Sequence, residues 1–227
     1  SNLWSQLYVS DPKLPITLPD ETKLAYGGTA YGNIIAGAST KINGYTKTRN
    51  RMNRVSGILK YDVKQLPGLS LKAFVSMAES TAKEKEFRKQ HNFYRYNIDT
   101  KEYTFERAGQ DPTGLTESFS ANKVFTQQYS INYENLFAGA HRILILGLYE
   151  NIAYDGDHFL GKRGGFLSNS IEQLGAGSIS TSFADGGASE MGRVSWIGRL
   201  NYAYKDKYLL ETILRADASA KFPSSKR

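Results

Sequence analysis

Alternation of apolar and polar residues between Arg193 and Phe222 constrains the fold of this chain more than any other feature. In residues 193–204 and again in residues 208–217, the even positions are mostly apolar and the odd positions carry the charges. Successive side chains of a strand point to opposite sides, so each arm is predicted to be a β-strand with one apolar and one charged face. The short loop Lys205–Lys207 is expected to pair Tyr204 with Tyr208, which places both apolar sets on one side.

Two kinds of protein contain such a hairpin. Each arm has about ten residues, the length of a tilted strand that crosses a bilayer. Tyr202, Tyr204 and Tyr208 lie at the turn, and rings with a polar tip favour the boundary between hydrocarbon and water. These features are typical of a transmembrane β-barrel, which is apolar outside and polar inside. A hairpin of a soluble sandwich, packed on one face and solvated on the other, has the same alternation.

The rest of the chain predicts an all-β, antiparallel up-and-down meander with at most one short helix. Further hairpin strands are expected in the following segments: residues 52–63 with 69–77, Phe119–Tyr133 and His141–Glu150, the last apolar on both faces and therefore of unassigned facing. Phe93–Asn97 and Tyr103–Arg107 predict a small hairpin apart from the main sheet. Residues 26–45 predict one or two short strands, and the spacing of apolar residues in 166–174 predicts a short helix that ends at Gly175.

Connection lengths are unequal along the chain. Residues 79–117 and 151–190 are long and polar and are interpreted as extracellular-type loops, whereas the other connections are short turns with nearby aromatics. Barrels of outer membranes have short turns at one end and long loops at the other. The predicted division is a Pro/Gly-rich part, residues 1–48, and a part made of barrel strands, residues 49–227.

The sequence of the main hairpin resembles that of the SusC/RagA-like TonB-dependent outer-membrane transporters of Bacteroidetes. The motif residues that carry the resemblance are Ser195, Gly198, Arg199, Asn201, Tyr202, Tyr204, Lys205, Lys207, Tyr208, Leu209, Leu210, Arg215, Asp217, Ser219 and Phe222. The segments 58–71 and 141–150 are also similar to strands of that family. Ala218 departs from the pattern, because the family usually has glycine there.

This resemblance implies a piece of a nutrient importer. Family members form a barrel of roughly 22 strands with a plug, use TonB, pair with a SusD-like surface lipoprotein, and import glycans or peptides across the outer membrane of Gram-negative cells. The sequence shows neither a TonB box nor a plug, nor a final strand ending in an aromatic residue. We therefore expect an internal fragment of about six to eight strands, which does not transport alone and self-associates through open sheet edges.

A soluble all-β module that binds carbohydrate or another partner is the alternative. No catalytic, cofactor or metal motif is recognised, so the chain is not expected to be an enzyme, and Asp155–His158 is interpreted as a plain turn. The net charge of +7 comes from scattered lysines and arginines, which argues against nucleic-acid binding. Candidate ligand-contacting loop aromatics, for which internal packing is the favoured interpretation, are Tyr94, Tyr96, Tyr103, Phe105 and Phe159.

Overall fold

The structure is a computed structural model that describes residues 8, 13–27 and 33–221, and strands dominate it. The elements are β1 (Leu24–Ala25), α1 (Ile34–Ala38), β2 (Gly44–Asp62), β3 (Leu69–Arg88), β4 (His91–Tyr96), β5 (Tyr103–Gln110), β6 (Gly114–Phe137), β7 (His141–Gly164), β8 (Phe183–Tyr204) and β9 (Tyr208–Ser219), with short 3-10 turns at Leu174–Ala176 and Ile179–Thr181. Six strands form one antiparallel sheet in the order β2-β3-β6-β7-β8-β9, and β1, β4 and β5 form a second sheet. The predicted all-β meander is confirmed.

The register of β8 against β9 follows the apolar pattern. Tyr204 pairs with Tyr208, and Trp196 pairs with Ala216, so even positions face even positions along the whole hairpin. Lys205 and Asp206 turn the chain with positive φ values of 50° and 51°. The predicted register is confirmed, and the loop length is the reason: a slip of one residue would move the charges to the apolar side.

Most of the segments interpreted as long loops are strand. β3 continues through residues 79–88, β7 through 151–164, and β8 begins at Phe183. Asp155–His158 lies within β7 and is not a turn. The error has a physical source, because backbone pairing with neighbouring strands does not need apolar side chains, and the contrast in hydropathy fades where both faces are polar.

Two local predictions are wrong, each for its own reason. Residues 166–173 do not form a helix, and helix α1 occupies part of the segment where short strands were expected. The Asn33 side-chain oxygen caps α1 by accepting hydrogen bonds from the backbone N–H groups of Ile35 and Ala36, at 2.8 and 3.3 Å. Tertiary contacts hold the 166–173 segment instead: Thr113 donates to the Asn169 side chain at 3.0 Å, and Phe166 packs edge-on against Phe87.

The chain divides into two compact units, and they differ in how they bury apolar side chains. The first comprises residues 1–49, 83–119 and 159–186, and the second comprises residues 50–82, 120–158 and 187–227. All buried hydrophobic residues of the described chain belong to the first unit: Leu18, Ala25, Ala36, Phe87, Phe93 and Leu115. This unit includes the predicted small hairpin, which is confirmed as β4 and β5 and which β1 extends as a parallel strand.

The second unit has no such core in its described residues. Its strands are the parts of the six-stranded sheet that carry the apolar–polar alternation. A sheet without a buried apolar face normally requires another layer or another environment to cover that face. The distribution of apolar side chains over the two faces therefore indicates which environment covers this unit.

The turn between β2 and β3 yields a prediction about stability. Gly68 has a φ of +94°, and a Cβ atom on it would lie 1.9 Å from the carbonyl oxygen of Glu134. We expect Gly68→Ala to lower the free energy of unfolding by roughly 2 kcal/mol or more. The strain of an alanine at this positive φ and the overlap of its Cβ atom with the Glu134 carbonyl both destabilise the folded state. Urea titration in detergent, followed by tryptophan fluorescence, measures this.

Gly57→Ala is the matched control. Nothing lies within 4 Å of its added Cβ atom, and its φ is ordinary. We expect its unfolding midpoint to stay at or slightly above that of the parent chain. Equal midpoints for the two variants contradict the proposed strain at Gly68.

Candidate functional site

One face of the second unit is a continuous apolar surface, here called the belt. The rings of Tyr129 and Tyr149 stack at 6.3 Å, and Tyr149 contacts Trp196 at 4.6 Å. Because Trp196 pairs with Ala216, this row crosses four neighbouring strands. The face residues that line one groove on the belt come from all six strands: Leu59, Tyr61, Leu71, Ala73, Tyr129, Ile131, Gly147, Tyr149, Trp196, Gly198, Leu214 and Ala216. The structure thus assigns the facing of β7, with its odd residues on the belt.

The belt leaves large apolar side chains exposed, whereas part of the opposite face is sheltered. On the belt, Leu59, Trp196 and Leu214 are 72%, 61% and 76% exposed. On the opposite face, Ser195 is fully buried and the Glu150 side chain is only 15% exposed. Apolar patches of this extent are rare on soluble monomers and mark surfaces that contact another apolar phase. This is the arrangement predicted for a barrel wall and not for a packed sandwich.

A row of charged residues ends the belt at the side away from the short turns. Lys123, Asp155 and Glu190 each lie six residues beyond the belt aromatic of their own strand, namely Tyr129, Tyr149 and Trp196.

Equal steps from those contacts keep residues opposite one another in antiparallel strands. The three charged residues accordingly line one common depression. The belt therefore has a sharp polar boundary, at the same level on three adjacent strands.

The opposite end of the belt carries aromatic rings with polar tips. The Nδ1 atom of His141 lies 2.7 Å from the Tyr202 hydroxyl, and its ring lies 4.9 Å from that of Tyr204. Tyr204 stacks with Tyr208 at 6.4 Å across the hairpin. The belt thus ends at this side in groups that suit an interface between apolar and aqueous surroundings.

Hydrogen-bonded charges organise the face opposite the belt. Glu150 accepts hydrogen bonds from Gln128 at 2.7 Å and from Arg193 at 3.2 Å. Asp217 accepts from the Ser195 hydroxyl at 2.5 Å and from Arg215 Nε at 2.8 Å. Each of these two carboxylates therefore has both a cationic and a neutral donor within the sheet.

The motif residues of the main hairpin distribute over both faces. Gly198 is on the belt with Tyr202 and Tyr208, whereas Arg199 and Asn201 share the polar face with Arg215 and Asp217, as the register requires. The Asn201 side-chain oxygen is buried and has no hydrogen-bond partner among the described residues. Ser219 ends β9, where its hydroxyl accepts from the Lys221 backbone N–H at 3.3 Å, and Phe222 lies outside the described residues. The structural role predicted for these positions stays a prediction.

The candidate loop aromatics lie on strands, which corrects their predicted placement. Tyr94 pairs with Phe105, and Tyr96 pairs with Tyr103, as cross-strand neighbours of β4 and β5. Their rings contact one another at 6.1 and 4.8 Å. Phe159 lies on β7. These four β4–β5 residues are thus engaged with each other.

Phe159 differs from that group. It is 60% exposed, its ring lies 5.5 Å from that of Phe119, and both line a depression of about 660 Å³. Charged side chains at this depression come from Lys83, Glu117 and Asp185. Phe159 is therefore the candidate aromatic whose surroundings leave room for a ligand.

Sequence reasoning missed the charged row and the Glu150 cluster. The row had a readable signal, since Lys123, Asp155 and Glu190 are the first charges on the apolar positions of their strands. The Glu150 cluster had none, because its members come from three strands and only the register between strands brings them together.

Comparisons with known proteins give a fold. No family model matches the chain, and no curated protein is similar to it. Three solved structures of the RagAB peptide importer are similar. The closed-closed state has a TM-score of 0.72 at 20% identity over 89% of this chain and 21% of that chain. The open-open state has 0.69 at 20% identity over 90% and 21%, and a further RagAB structure has 0.69 at 18% over 87% and 20%.

The chain has the fold of a segment of the RagAB importer. It spans about a fifth of the length of the RagAB chains that it matches. The resemblance to SusC/RagA-like transporters, inferred from the hairpin motif, is confirmed at the level of fold. These neighbours are importers or transporters by name.

The described residues lack two further features. They contain no group of three or more His, Cys, Asp and Glu side chains arranged to hold a metal ion. No helix among them has the length and hydropathy needed to cross a membrane.

The Glu150 cluster yields a second prediction. Glu150→Leu leaves Gln128 and Arg193 without their acceptor on a sheltered face. We expect the free energy of unfolding to fall by about 1–2 kcal/mol, because sheltered polar groups without a hydrogen-bond partner bear a desolvation cost. The melting temperature from far-UV circular dichroism in detergent reports the loss. Glu102→Leu, on an exposed turn position, is the control and should leave the melting temperature unchanged; a similar decrease in both variants would contradict the role of the cluster.

Proposed function

We propose that this chain is part of the wall of a TonB-dependent importer in the outer membrane of a Gram-negative cell. The observation that carries the proposal is the belt, an exposed apolar face that extends over six strands, opposite a face on which Glu150 and Asp217 are hydrogen-bonded to arginines. Lipid tails would cover the belt, and the polar face would line the aqueous interior. The fold shared with RagAB supports the same assignment.

The height of the belt supports a bilayer as its environment. Residues 192–202 of β8 lie between Glu190 and Tyr204 and extend about 34 Å at the rise of an antiparallel strand. At a tilt near 40°, this length covers roughly 26 Å of bilayer thickness, close to the apolar band of about 25 Å in outer-membrane barrels. The charged row and the aromatic end would then lie at the two water boundaries.

The cargo that we propose is an oligopeptide, with a glycan as the alternative. RagAB is a peptide importer by name. The depression at Phe119 and Phe159 joins aromatic rings with charges of both signs. Such a surface suits the side chains and charged termini of a peptide. Both rings occupy odd positions of β6 and β7, the parity of the belt, beyond the charged row, so a peptide would contact them outside the wall before it enters the interior. Partners of the complete importer would be a SusD-like lipoprotein and TonB.

Adjacent residues of β9 test the membrane assignment directly. The chain has no cysteine, so single spin labels can be placed at Leu214→Cys on the belt and at Ile213→Cys on the polar face. In lipid vesicles, we expect the label at 214 to be reached by oxygen and shielded from a water-soluble nickel chelate. The label at 213 should show the opposite preference.

Both positions are exposed, at 76% and 57%, so burial within the chain does not produce this contrast. Equal access of the nickel chelate to both labels would overturn the membrane assignment and favour a soluble all-β module.

Cargo uptake tests the importer assignment. We expect Phe159→Ala in the native gene to reduce uptake of labelled oligopeptide several-fold, because stacking contributes about 1 kcal/mol. Phe105→Ala is matched in exposure, at 55% against 60%, and should leave uptake unchanged because Phe105 packs against Tyr94. Loss of oligosaccharide uptake alone in the Phe159 variant would assign the glycan alternative, and no change in either uptake would contradict the proposed contact.

A further inference from the structure

A gap in the side chains of the belt lies at two facing glycines. Gly147 and Gly198 each lie two residues from the contact between Tyr149 and Trp196, in the directions that keep them opposite in antiparallel strands. No atom lies within 4 Å of a Cβ built on either glycine. The result is a groove of about 870 Å³ whose walls include Trp196 and Leu214.

Two lysine ammonium groups lie at the turn that joins β8 and β9. The ammonium group of Lys205 lies 5.4 Å from the centre of the Tyr204 ring, and that of Lys207 lies 5.8 Å from the centre of the Tyr208 ring. Asp206, between them, already pairs with Arg142 at 3.6 Å. Neither lysine forms an ion pair with a described residue, so this end of the hairpin, called the cationic rim, retains positive charge.

Apolar side chains connect the rim to the groove. On the belt side of the hairpin, Tyr202 pairs with Leu210, Leu200 pairs with Thr212, and Gly198 pairs with Leu214. From Tyr208 to Leu214 is a path of about 20 Å along the strand. A tilt near 40° converts it to about 15 Å of depth, half of a hydrocarbon core of about 30 Å.

We propose that the β8–β9 hairpin binds one anionic glycerophospholipid. Its phosphate would lie against Lys205 and Lys207 at the rim, and one acyl chain would follow the hairpin to the groove over Gly147 and Gly198. This inference depends on the proposed membrane assignment, since it takes the belt to face lipid. The cationic rim selects the headgroup, and the groove selects the chain.

The combination of features favours this ligand over simpler ones. Inorganic phosphate has no apolar part to fill the groove. A zwitterionic lipid gains less than an anionic one from the two ammonium groups, because its own cationic group lies next to its phosphate. A chain anchored at the rim ends at the depth of the glycines, because an acyl chain reaches to the middle of the bilayer. Charge and length therefore agree on a single lipid molecule.

Trp196 is the reporter for the test. The chain has two tryptophans, so Trp4→Phe leaves Trp196, which lines the groove, as the only one. Fluorescence is measured in phosphatidylcholine vesicles that contain an increasing mole fraction of either brominated phosphatidylglycerol or brominated phosphatidylcholine. We expect the anionic lipid to quench at about five-fold or more lower mole fraction, the effect of a single lysine near charged lipid.

Variants separate the rim from general charge. K205Q combined with K207Q should remove the preference for phosphatidylglycerol, whereas K41Q combined with K101Q, which removes two exposed lysines of the first unit, should keep it. Gly198→Leu fills the groove and should weaken quenching by the anionic lipid towards the level of the neutral one.

The outcomes distinguish this inference from the proposed function. Equal quenching by both lipids overturns the inference and leaves the membrane assignment intact. A preference that survives K205Q with K207Q also overturns it. Absence of quenching by either lipid contradicts the membrane assignment itself. The comparison of the two lipids uses no altered lysine or glycine, so a variant that fails to fold does not block the test.

Discussion

The second unit depends on the contact of its belt with an apolar environment. No apolar side chain in the described part of this unit is buried, although Leu59, Trp196 and Leu214 present large apolar surfaces. Hydrophobic burial is the main favourable contribution to folding. The described residues of this unit supply little of that contribution themselves, because their large apolar side chains stay on the surface of the sheet.

Two carboxylates of the polar face are paired within the sheet. Glu150 and Asp217 each accept hydrogen bonds from an arginine and from a neutral donor. A carboxylate in sheltered surroundings is costly unless such donors surround it. Both faces depend on the same register, because a slip of one residue would exchange the belt with the charges.

The first unit has a buried apolar core, as soluble domains do. Phe87, Phe93 and Leu115 are buried, and Phe87 packs edge-on against Phe166. In its small sheet, the aromatic rings of β4 and β5 contact one another across the strands. Phe159, with Phe119, is the exception, and its exposure in a depression makes it the better candidate for contact with a ligand.

The sequence determined the hairpins, their register and their two faces, because alternation and turn length act over neighbouring residues. It also contained the polar boundary of the belt at Lys123, Asp155 and Glu190. It did not reveal that strands continue through residues 79–88 and 151–164, since pairing of the backbone leaves little trace in polar side chains. Only the tertiary structure brought Gln128, Glu150 and Arg193 together and placed Gly147 opposite Gly198, because the register between distant strands depends on the whole sheet.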